Sequence, residues 1–215
     1  LQREYDNLLT VEIICHGVPS AKLWQKYIDF LRNRKGRVFE RVNFRDKCHG
    51  WKMYGLKIEF NGQKSYYRSH IRDSYMQMFL QNLSLRPSCY RCRAKEKGSG
   101  ADLTLGDFWG VRRIQPELND DKGVSIVFVN SVRGSKAFHD IQKELACAPV
   151  TYEKAVEWNL AASQSVREPA LRSAFFRDMD RMTFPELAGK YVKRAPLKDH
   201  VRLLLIIILR KAGLR

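Results

Sequence analysis

The chain has 215 residues, 44% of them hydrophobic and 11% aromatic, and a formal net charge of +16. That length suits one large domain or two small ones, and that composition can bury a sizeable core, which excludes a disordered chain. The charge points to an anionic partner, a phosphate-bearing cofactor or a solvated basic surface; because the basic residues are spread without a run of five and the aromatics sit in apolar-periodic segments, the pattern speaks against nucleic acid.

Val11 to Ile14 form a short apolar run ending in Cys15, His16 and Gly17, the pattern of a buried strand closed by a turn. Ser20 is the expected N-cap of a helix whose inner face carries Leu23, Trp24, Tyr27, Ile28 and Leu31, with Gly36 at its end. Cys15 thus lies between the end of a strand and the start of a helix, where α/β proteins bind ligands. RVFERVNFR (37–45) alternates as a strand, and MYGLKIEF and QKSYYRS flank Asn61-Gly62 as a hairpin. DSYMQMFLQN (73–82) reads as a short helix, and a basic cysteine loop follows. DLTLGDFWG (102–110) is a strand running into a glycine-bounded turn, GVSIVFVNS (123–131) a strand, and GSKAFHDIQKELA (134–146) an amphipathic helix. From Tyr152 the pattern is helical, broken at Pro169, Pro185 and Pro196. The sum is an α+β chain: a mixed sheet with flanking helices over 1–150 and a helical C-terminal extension over 151–215.

Five cysteines without framework spacing predict free thiols in a reducing, cytoplasmic setting. The longest apolar run, 203–209, falls short of the ~20 residues that cross a bilayer, so no transmembrane segment is expected. The last helix, apolar with basic ends, suits burial or partner packing, with an interfacial anchor as the other reading. The chain begins with Leu1 in LQREYDNLL, which reads as the middle of something longer, so part of any site is expected outside it.

The chemistry concentrates in SLRPSCYRCR (84–93). Cys89 and Cys92 are spaced so that both thiolates can face one metal; the spacing suits half a zinc site, two iron–sulfur ligands, a redox dithiol or inert loop cysteines. A thioredoxin-like dithiol should open a helix in a βαβ unit, and Pro87 with its arginines does not suggest one. Arg86, Arg91, Arg93, Lys95 and Lys97 would offset the negative charge of a thiolate-bound cluster. Cys15 is a second ligand candidate or a small buried hydrophobe. Cys48 in FRDKCHGW is a fourth ligand or a surface cysteine, and Cys147 is most simply structural. Gly106 to Gly110, GDFWG, suits close approach to a flat cofactor, with Phe108 or Trp109 stacking and Asp107 accepting a hydrogen bond; a tight turn with core aromatics explains it equally. Lys122 and Gly123 suit a phosphate or a plain turn. No dinucleotide fingerprint, phosphate loop or nucleophile elbow is present.

Taken in order, CHGVPSAKLW, NFRDKCHGW, LSLRPSCYRC, DLTLGDFWG and DDKGVSIVFVNS resemble one family, the C-terminal domain of the beta subunits of coenzyme F420-reducing hydrogenase and F420-linked formate dehydrogenase. The resemblance runs from about Val11 to Phe176 and is specific as a set. It is nearest to bacterial members, whose neighbours often concern polysaccharide assembly. It implies an iron–sulfur flavoprotein oxidoreductase passing electrons between a [4Fe-4S] cluster, a flavin (FAD or FMN) and a soluble carrier, with a deazaflavin as one such carrier. It implies that Cys15, Cys89 and Cys92 are cluster ligands, the fourth thiolate coming from an N-terminal half outside this chain. By the same resemblance Gly106, Asp107, Trp109, Lys122 and Gly123 become candidates for the cofactor's surroundings. The competing readings are a zinc-stabilised basic module for nucleic acid or an acidic partner, and a non-redox assembly protein of polysaccharide biosynthesis.

Overall fold

The computed structural model describes residues 5, 7–35, 39–61, 63–97, 99–193 and 195–212. Its described residues form two three-stranded sheets and nine α-helices, an α+β fold. The chain folds as two compact units that share it in alternation: one takes 1–16 and 88–166, the other 17–87 and 167–215.

The first unit is built on a mixed sheet. Strand β1 (Val11–Ile13) runs parallel to β5 (Leu103–Asp107), which pairs antiparallel with β6 (Ser125–Val129). Asp102 fastens one end of it. Its carboxylate accepts from the Thr10 amide (2.8 Å), the Thr10 hydroxyl (2.7 Å) and the Ser131 hydroxyl (2.5 Å). Ser131 is also the N-cap of α5 (Val132–Gln142), so one carboxylate ties a strand entry to a helix start. These hydrogen bonds, Ser131's foremost, hold the Asp102 carboxyl down at about 2. The apolar run of β1 is not buried as expected: Val11 is 47% and Ile13 64% exposed. An edge strand has one neighbour, and apolarity alone does not distinguish it from a central one.

The second unit pairs β2 (Phe39–Asp46), β3 (Gly55–Phe60) and β4 (Gln63–Ser69) in an antiparallel meander. The Asn-Gly turn between β3 and β4 lies partly outside the described residues. β3 is central and its Leu56 and Ile58 are fully buried. The core also takes Leu23, Tyr27 and Leu31 from α1 (Ala21–Lys35) and Met76 and Met78 from α2 (Ser74–Leu80). It is completed by Phe175 and Met179 of α7 (Arg172–Arg181) and by Phe184, Leu187 and Tyr191 of α8 (Phe184–Tyr191). Pro185 lies in the first turn of α8, where a missing N–H costs nothing, and Glu186 accepts from the Thr183 amide at 2.7 Å.

Asp73, 1% exposed, caps α2 by accepting from the Met76 amide (3.0 Å) and takes hydrogen bonds from the Tyr27 (2.7 Å) and Tyr66 (3.3 Å) hydroxyls. Burial pushes its carboxyl above the ordinary aspartate range. The last helix, α9 (Leu197–Lys211), buries Leu203 and leaves Val201, Leu204, Leu205 and Ile208 exposed. No helix of the described residues is long and apolar enough to cross a membrane.

Candidate functional site

All three candidate cysteine ligands fall in the first unit. The basic loop is not a loop: Pro87–Arg91 forms a 3-10 helix and α3 (Arg93–Lys97) follows, with Cys92 between them. Cys15 comes two residues after β1, whose continuation is held to the sheet by the Ile14 amide donating to the Leu105 carbonyl at 2.7 Å.

One side chain joins these segments. The Lys95 ammonium donates to the Cys15 carbonyl at 2.8 Å and to the Gln164 carbonyl at 3.1 Å, spanning 80 and 69 residues of sequence. The Cys92 amide donates to the Ser165 hydroxyl at 2.9 Å, and the Lys95 amide to the Cys92 carbonyl at 3.1 Å. Three distant pieces of chain are thereby held at one place. Cys15 is exposed, Cys89 and Cys92 are half-buried, and none of the five cysteines is in a disulfide. Among the described residues no three His, Cys, Asp or Glu side chains close around one point, so the side chains themselves do not form a ready-made metal cage.

The second group of candidates lies at the same end of the sheet. Because β1 and β5 are parallel, their C-terminal ends carry Cys15 and Asp107 in the same direction. The segment between β5 and β6 returns there, with the Phe108 amide donating to the Val124 carbonyl at 2.8 Å. Gly106, Asp107, Trp109, Lys122 and Gly123 thus share one end of the β5–β6 pair with Cys15.

Each also has a local job. A Cβ on Gly106 would stand 2.5 Å from Ile14 Cδ1 and 3.0 Å from Ile14 Cβ, so glycine lets β5 pass the residue preceding Cys15. Asp107 offers its backbone carbonyl to the buried Asn159 amide at 3.0 Å. Phe108 is buried and Trp109 half-buried. The Trp158 ring lies against Gly110 and under the Arg113 guanidinium, 4.4 Å from its centroid. The 120–123 turn is drawn tight: the Lys122 amide donates to the Asp120 carboxylate at 2.9 Å, which lowers the Asp120 carboxyl. Gly123 has φ +103°, a conformation glycine adopts without strain. The Lys122 ammonium is 80% exposed and lies 3.4 Å from Asp120.

Cys48 belongs to the second unit, where burial raises its thiol above the ordinary value. Cys147 is exposed, past the end of α5. Sequence reasoning placed Lys95 only among charges offsetting a cluster, and passed over Gln164, Ser165 and Asn159. A lysine bonded to two backbone carbonyls leaves no spacing signal.

A family model describing the C terminus of the coenzyme F420 hydrogenase/dehydrogenase beta subunit matches residues 1–153. No curated protein matches the chain. The matched stretch contains Cys15, Cys89, Cys92 and both glycine turns, and on that match the chain belongs to the family formed by the C-terminal region of coenzyme F420 hydrogenase/dehydrogenase beta subunits.

Proposed function

We propose that the chain is the cluster-and-flavin part of an electron-transferring oxidoreductase, with Cys15, Cys89 and Cys92 holding three positions of a [4Fe-4S] cluster. The observation that carries this reading is the Lys95 clip, which holds the carbonyl of Cys15 against the helical turn that begins beside Cys92. Thiolates are the donors such clusters take, and rotation about Cα–Cβ is what three cysteines on adjoining segments need to face one group. The fourth thiolate comes from the N-terminal part of the beta subunits, because the matching model describes their C terminus. A cluster relays single electrons, and a flavin (FAD or FMN) beside it couples them to hydride chemistry with a soluble carrier such as a deazaflavin.

This chain's own residues set the surroundings. Gly106 allows close passage, Asp107 and Trp109 border the site, and the 120–123 turn brings Lys122 and Gly123 to the same end. Exposed Arg91 and Arg93 beside the cysteine segment offset thiolate charge and present a basic face to an acidic carrier. The cysteines and turns that carry the chemistry belong to 1–150, with 151–215 as a helical extension whose first part positions them through Asn159, Gln164 and Ser165, in the reducing cytoplasm where these thiols stay free. The test is Cys89→Ser in protein purified without oxygen. Iron and acid-labile sulfide should fall together, while Cys147→Ser leaves both unchanged. Wild-type iron in Cys89→Ser, or zinc without sulfide in the parent protein, refutes the reading.

A further inference from the structure

The second unit contains an open cleft of about 840 Å³ that the redox reading does not use. Arg68, Ser69 and Arg72 line it from β4 and the turn after it, and Lys193 and His200 line it from the chain leaving α8 and from α9. Among the described residues, none that lines it is a carboxylate. Among the described residues, Arg68, Arg72 and Lys193 form no ion pair. Asp73, whose charge reaches Arg68, spends its oxygens on Tyr27, Tyr66 and the Met76 amide. Asp199 acts on His70. The Arg72 Nε donates to His200 Nδ1 at 3.2 Å, which fixes the guanidinium beside α9.

A second, independent sign is Ser69. It lines the cleft and is 3% exposed, yet its hydroxyl has no hydrogen-bond partner. Buried hydroxyls are almost always paired, so an orphan at the edge of a cationic cleft indicates a missing partner. His49, Tyr67 and Ser74 add polar atoms to the lining, and Val192, Leu203 and Ile207 give the cleft an apolar side.

We infer that this cleft binds an organic phosphate of nucleotide size. Arg68, Arg72 and Lys193 take the phosphate, Ser69 donates one hydrogen bond to it, and the organic part lies along Val192, Leu203 and Ile207. Guanidinium forks match phosphate oxygens in pairs, and the volume is that of small-molecule sites, about 300–1,000 Å³. The α8 and α9 side of the cleft lies beyond the 1–153 family match, so the site is a property of this chain's second unit and stands apart from the cluster reading.

The test is calorimetric titration of the full chain with inorganic pyrophosphate at low salt, followed by displacement. Saturable binding is expected, weakened about tenfold or more in Arg72→Ala, the scale of one charged hydrogen bond. Ser69→Ala should weaken binding without lowering Tm, since its hydroxyl has no partner to lose; this variant decides the matter even if Arg72→Ala fails to fold. Lys143→Ala, on the exposed end of α5 in the other unit, should bind like the parent. Displacement by adenosine diphosphate assigns the phosphate to a free ligand, and displacement by phosphatidate vesicles alone assigns it to a lipid headgroup. Absence of saturable binding, or equal weakening in Lys143→Ala and Arg72→Ala, overturns the inference, because the second result means general attraction to a +16 chain.

Discussion

Lys95→Met keeps the aliphatic stem of Lys95 and removes the two hydrogen bonds that hold Cys15 and Gln164 to the cysteine segment. Hydrogen bonds from a charged donor contribute about 1.5–3 kcal/mol when well sequestered. Lys95 is only half-buried, so solvent screening brings each to about 1 kcal/mol. Together they hold the junction by about 2 kcal/mol, so its opening should become roughly 30-fold more frequent. The first assay is iron release to a chelator from anaerobically purified protein, where Lys95→Met should lose iron many times faster. The second is amide exchange in metal-free protein. Protection should fall at 92–95 and 164–166, while the core of the second unit, around Leu56 and Met78, keeps its own. Unchanged iron retention together with unchanged exchange would show that the clip holds nothing, and the reading of the site built on it would fail.

Asp73→Ala removes a helix cap (about 1 kcal/mol) and takes from the buried Tyr27 hydroxyl its shorter partner, leaving it only Tyr66 at 3.3 Å (about 1–2 kcal/mol), so stability from denaturant unfolding should fall by about 2–3 kcal/mol with an unchanged m-value. Asp73→Asn keeps the cap and should cost less. Because burial raises the Asp73 carboxyl, the unfolded chain ionises it more readily than the folded chain as pH rises above the ordinary value of 3.8, so the parent loses stability there and the penalty of Asp73→Asn should shrink in that direction; a penalty that grows with pH refutes the assignment. Asp102 has the opposite sign. Its carboxyl is lowered to about 2, so its contribution is complete above 3.8 and is lost as pH falls from there to about 2; acid unfolding of Asp102→Asn should lack that part of the parent's slope. Gly106→Ala should cost about 1–3 kcal/mol through collision with Ile14, and Ile14→Ala should relieve most of it in the double variant, measured as a double-mutant cycle.

Periodicity carried the elements of this fold well. The α1 face of Leu23, Tyr27 and Leu31 enters the core as its spacing predicts, and the strand of 55–60 alternates into it. Burial was legible only where neighbours come from both sides; Val11 and Ile13 read as core and lie on an edge. The cysteine segment read as loop because Pro87 and glycine-free basic residues suppress apolar periodicity, yet they fold as a 3-10 turn and a short helix. The candidate site was legible as residue types and as a family order, not as geometry. Lys95, Asn159, Ser165 and the Asp102 fastening act across 29 to 92 residues through one to three hydrogen bonds each, and no local pattern encodes those.

The alternation of the two units along the chain has a bearing on synthesis. Residues 17–87 emerge from the ribosome with Leu23, Tyr27, Leu56 and Met78 already made, but Phe175, Met179, Phe184 and Leu187, which cover them, come only after the whole of 88–166. Until then that apolar surface stands open for the roughly 5–20 s that about a hundred residues take to add, the interval in which nascent chains recruit holding chaperones or aggregate. A fragment ended at residue 153, where the family match stops, would never leave that state.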